Sequence, residues 1–123
     1  MTAQAQLEAD LRAQGHTTEA INVGGLPFVL LRGFTVQSGR FAGQVVDLGL
    51  QVMLNYPSEL APSIHVQAQP FLRPFGGDGS TFNVIASPLG PNWQYWSFNF
   101  TTIWQQGRGP SLTAIINGVM ERA

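Results

Sequence analysis

Ser97, His65 and Asp47 are the one set in this sequence whose types could supply a nucleophile, a base and an orienting acid. A hydroxyl attacks only when a base lies within hydrogen-bond reach, often with an acid behind it. Strand parity places each of them opposite an apolar face: His65 alternates with Ile64 and Val66, Asp47 with Val46 and Leu48, Ser97 with Trp96 and Phe98. All three could share the other face of one sheet. No motif supports a triad, however, and polar residues on the far side of a sheet read more simply as solvated surface.

Other chemistries fall away by residue type. The chain has no cysteine, which removes disulfides, thiolate metal sites and thiol nucleophiles. His16 and His65 are far apart and lack ligand spacing, so no metal site is expected. No carboxylates pair in the glycosidase manner. All six basic residues are arginine, so Gly76–Thr81, GGDGST, lacks the lysine of a phosphate loop and reads as a flexible turn. No cofactor is implied.

Length and composition bound the rest. A chain of 123 residues is expected to form a single domain, 1–123. Charged residues are 11%, against ~25% in a typical domain. Two readings of so weakly charged a surface stay open: coverage by a partner, or a neutral face rich in glutamine. A net charge of −1 argues against nucleic acid. No apolar run is long enough to span a membrane and the N-terminus is not signal-like, so the expected location is cytoplasmic.

The elements that must position these residues can be read in order. Ala3–Gln14 reads as a short helix with Leu7 and Leu11 one turn apart, and Gly15 stops it. Glu19–Val23 and Leu26–Phe34 read as strands joined by Gly24-Gly25. Val45–Gln67 is the organising stretch, a strand, a proline elbow and a return strand. Val46, Leu48, Leu50, Val52 and Leu54 define its core face, and Tyr56-Pro57 with Pro62 break it. Ala68–Asn92, rich in proline and glycine, reads as irregular, with Phe71, Phe75 and Phe82 as anchors and only Thr81–Ala86 extended.

Trp93–Phe100 is the next strand. Gln94, Trp96, Phe98 and Phe100 are expected in the core, while Trp93, Tyr95, Ser97 and Asn99 form a candidate binding face. Pro110 opens a last helix whose stripe is Leu112, Ile115, Ile116, Val119 and Met120. The fold class is α+β: an N-terminal helix, a four-stranded antiparallel meander, an irregular segment, a short strand and a C-terminal helix.

This order resembles the ubiquitin-conjugating enzyme (UBC-like) superfamily. The elbow Tyr56-Pro57…Ala61-Pro62, Trp104 and the helix opening Pro110-Ser111-Leu112 match its pattern. The chain is more similar to a bacterial branch, through Arg32-Gly33-Phe34, Trp93-Gln94-Tyr95-Trp96-Ser97 and Trp104-Gln105-Gln106-Gly107. The resemblance implies a UBC-like fold over nearly the whole chain. It places the family cysteine near Trp96-Ser97, where none exists. The family His-Pro-Asn segment corresponds to Ser87-Pro88-Leu89, which keeps neither its His nor its Asn, and Phe98-Asn99 stand where the branch has Arg-His.

The resemblance therefore implies a non-catalytic protein that binds a ubiquitin-like protein or an activating-enzyme-like partner in a bacterial conjugation-like system. Its partner-binding residues would be Trp93, Tyr95, Ser97, Asn99, Tyr56, Pro57 and Pro62. One alternative is an oxyester carrier acting through Ser97. Another is a structural interaction subunit unrelated to ubiquitin-like chemistry. The sequence leaves oligomeric state open.

Overall fold

A computed structural model describes residues 2–60, 63–77, 83–97 and 112–123. Within them two helices pack on one antiparallel sheet. Helix α1, Ala3–Ala13, is capped by Thr2, whose hydroxyl accepts the Ala5 N–H at 3.0 Å. Leu7 and Leu11, spaced one turn apart, are both buried.

Strands β1 (Thr17–Val23) and β2 (Leu26–Thr35) form a hairpin. Gly24 and Gly25 both have positive φ, 57° and 81°, the pair of values a two-residue turn needs to match the twist of its strands. Strand β3 (Val45–Gln51) pairs with β2, with a register shift between Leu31 and Phe34. Val46, Leu48, Leu50 and Val52 are buried as expected, but Leu54 is 93% exposed. The strand has ended by then, and the chain turns through a Tyr56 N–H to Met53 carbonyl bond of 3.0 Å. Parity carries no meaning past the turn.

Strand β4 (Ile64–Gln67) returns beside β3. The irregular segment contributes β6 (Asn83–Ala86), within the run expected to be extended, and also β5 (Gly76–Gly77), where only a flexible turn was expected. Strand β7 (Trp93–Ser97) lies between β4 and β6, giving the order β1-β2-β3-β4-β7-β6-β5. Phe71 and Phe75 do not anchor this segment: they are 36% and 52% exposed and pack edge-on against each other. Leu72 meets the core instead. Phe82, Phe98, Phe100, Trp104 and the Pro110 helix opening lie outside the described residues.

The last helix, α2, is Leu112–Arg122. Its stripe, with Leu7 and Leu11 of α1, covers the face of the sheet that carries Val29, Leu31, Leu48, Leu50, Ile64, Val66 and Trp96. Gln94 is buried on that same face. Its amide donates to the Arg73 carbonyl at 2.8 Å and its oxygen accepts the Trp96 indole N–H at 3.2 Å, which is how an amide tolerates loss of water. The loop between β2 and β3 holds the end of α2. The Arg40 Nε donates to the Ala123 carbonyl at 3.0 Å, and Gly39 lies against the α2 backbone. The fold therefore leaves the other face of the sheet free of helices among the described residues.

Candidate functional site

On that second face the register sets Leu30, Gly49, His65, Tyr95 and Ile85 side by side across β2, β3, β4, β7 and β6. Asp47, Gln67, Trp93 and Ser97 share the face by strand parity. The ring of His65 is wedged between Phe28, 5.4 Å away, and Tyr95, 4.7 Å away, both edge-on. The turn from β6 to β7 folds across this row, and Leu89 packs against Gly49. A Cβ on Gly49 would approach Leu89 Cδ1 to 2.7 Å, so that leucine fills the space of an absent side chain.

The turn brings a hydroxyl to the histidine. His65 Nδ1 and Ser87 Oγ are 2.8 Å apart, and the Leu89 N–H donates to the same Oγ at 3.1 Å. The Leu89 amide already occupies one acceptor position of the oxygen. The oxygen keeps a second lone pair, so the contact fits both tautomers of His65: Ser87 donating to a bare Nδ1, or Nδ1–H donating to Oγ. Burial drives the imidazole pKa down to about 4, because a charged ring there would lose its hydration. The ring is neutral at neutral pH.

His65 is thus 2% exposed rather than a solvated surface residue. Parity assigned its face correctly, but the turn that covers it was not visible. Nor are Ser97, His65 and Asp47 joined. Asp47 accepts from Arg32 Nη1 at 2.9 Å and from the Gly33 N–H at 2.9 Å. Ser97 lies across from Asn83 in the register. The hydroxyl that His65 does meet, Ser87, was singled out in the sequence only as part of the segment matching a family motif. Its signal was its place: a serine closing an extended run, just before a Pro-Leu-Gly-Pro turn.

The expected binding residues divide by exposure. Trp93 is 7% exposed, beneath the turn where a Cβ on Gly90 would sit 3.7 Å from its ring. Tyr56 is equally buried, and its hydroxyl donates to the Asp10 carboxylate. Burial first, then that carboxylate, pushes its phenol well above the ordinary tyrosine range. Tyr95 and Ser97 are half-buried, Pro57 is exposed, and Asn99 and Pro62 lie outside the described residues. Among the described residues no three His, Asp or Glu side chains gather as metal ligands, and no helix is long and apolar enough to cross a membrane.

A concavity of about 450 Å³ lies where His16, between α1 and β1, and the first turns of α2 meet the end of β2. His16 and Thr113 meet at its wall, 2.6 Å apart. Desolvation lowers the pKa of that imidazole too.

No curated protein and no solved structure matches the chain. The model of a protein family described as Prokaryotic E2 family E matches residues 5–123, which is nearly the whole length, and the chain belongs to that family.

Proposed function

We propose that this chain is the binding member of a prokaryotic ubiquitin-like conjugation system, engaging a ubiquitin-like protein or an activating-enzyme-like partner without carrying a thioester. One observation carries the reading: an E2-family match over residues 5–123 in a chain that has no cysteine. The accessible part of the expected face supports a contact surface. Tyr95 is half-buried and pairs in register with Ile85, which is 48% exposed. A rigid aromatic beside an exposed aliphatic is the kind of centre from which interfaces draw most of their affinity.

Trp93 serves this surface from below, so replacing it should lower stability as well as affinity. An oxyester on Ser97 would lack the imidazole of His65, whose Nδ1 is bonded to Ser87. The test is calorimetric titration of the chain with a ubiquitin-like protein and with an activating-enzyme-like protein from the same host. Tyr95→Ala should weaken binding at least about tenfold and lower the melting temperature less than Trp93→Ala does. Absence of binding to both proteins overturns the reading and favours a structural subunit. Incubation with the charged activating enzyme should give no adduct that reducing agent removes.

A further inference from the structure

We infer that Ser87 and His65 form a serine–histidine acyl-acceptor site, taking activated acyl groups such as thioesters onto the Ser87 hydroxyl. Three observations converge on it. The Nδ1–Oγ distance of 2.8 Å is that of a nucleophile bonded to its base. The Leu89 N–H, at 3.1 Å from Oγ, holds the hydroxyl in place on the turn. The histidine is held by Phe28 and Tyr95 on β2 and β7, while the serine stands half-buried on the surface turn. The base is thus fixed on the sheet and the nucleophile stays within reach of solvent. In the tautomer that carries its ring proton on Nε2, Ser87 donates to Nδ1, Leu89 engages one lone pair of Oγ and the second is left for attack.

The step balances without a redox partner. Oγ attacks the acyl carbon of a thioester, a C–O bond forms and the C–S bond breaks. The Ser87 proton passes to His65 Nδ1 and then to the leaving thiolate. The products are an oxyester on Ser87 and a free thiol. An imidazole held at about 4 by burial is a weak base, which confines the site to acyl groups whose leaving group departs readily, thioesters and aryl esters, and not peptide amides. That the natural donor is a ubiquitin-like C-terminus rests on the function proposed above; the reactivity of Ser87 does not.

The experiment separates the two. The full chain is mixed with p-nitrophenyl acetate, following nitrophenolate release and mapping acetylation by peptide mass spectrometry. Acetylation is expected at Ser87, lost in Ser87→Ala and retained in Ser97→Ala. His65→Gln should slow it by about a hundredfold, the usual contribution of a positioned base. Because His65 is buried, Ser87→Ala decides the matter even if His65→Gln fails to fold. Unchanged release in Ser87→Ala, or acetylation confined to Ser97, overturns the site. A second arm offers a ubiquitin-like protein as its small-thiol C-terminal thioester. An acetylated Ser87 with no ubiquitin-like adduct keeps the site and removes that donor. Binding of the ubiquitin-like protein without any acylation of Ser87 removes the site and keeps the binding function.

Discussion

Burial sets the protonation of both histidines, and folding is linked to pH through them. The folded pKa of His65 is about 4, against 6.5 for an unperturbed imidazole. Between those values the unfolded chain binds a proton that the folded chain refuses, so stability rises with pH there. The contribution is complete above pH 6.5 and is lost as pH falls toward 4. From pH 7 to pH 5 the loss should be about 2 kcal/mol, since each tenfold difference in proton affinity between the folded and unfolded chains is worth about 1.4 kcal/mol. His16 is lowered as well and acts in the same direction. Urea midpoints at pH 7 and pH 5 should therefore differ in the parent chain and differ less in His65→Gln, with a residual slope from His16. An equal slope in both would place the titrating group elsewhere. The sequence showed which face His65 occupies. It could not show what covers it, because Ser87 lies 22 residues away across a turn.

Among the elements, the loop ahead of β3 and helix α2 give opposite expectations for glycine. Gly39 has φ +86°, and a Cβ there would come within 2.9 Å of the Glu121 backbone. Neither the backbone conformation nor the neighbouring main chain can yield, so Gly39→Ala should cost more than about 1 kcal/mol. Gly118 sits inside α2 with nothing described within 4 Å of a Cβ. Gly118→Ala should stabilise by about 0.4–1 kcal/mol through the entropy of the unfolded chain. Chemical-denaturation midpoints for the two variants check both signs. The α2 stripe was legible because Leu112, Ile115, Ile116, Val119 and Met120 repeat at helical spacing, and all five are buried. The Gly39 contact was not, since it joins segments about 80 residues apart that share no pattern.

For the whole molecule, alternation in β3 and β4 was enough to divide the sheet into a helix-covered face and a second face. What alternation could not supply is how the second face closes. Trp93 and Tyr95 share strand parity, yet Trp93 is 7% exposed under the Gly90 turn and Tyr95 is half-buried. Within Ala68–Asn92, β6 falls in the run read as extended, while β5 extends the sheet by the backbone pairing of Gly76 and Gly77, which glycine permits without announcing. Tests of the binding surface should therefore compare Tyr95→Ala with Trp93→Ala in stability before affinity, because the half-buried Tyr95 is expected to cost less stability than the buried Trp93.

Leu89 occupies the gap left by Gly49, and its own amide proton rests on Ser87 Oγ. The leucine thus works as a key whose shaft is the turn and whose lock is cut into β3. Adding a single methyl there, in Gly49→Ala, changes the lock from β3, and the new Cβ also comes within 3.4 Å of the His65 Cβ. Its approach to Leu89 Cδ1, 2.7 Å, can be relieved only by moving that side chain, because Leu30 Cδ2 at 3.3 Å crowds the other side. Hydrogen exchange at the Leu89 amide should then accelerate while the amides of β3 keep their protection. Strand β3 would hold a dial on the reactivity of Ser87, turned by volume alone.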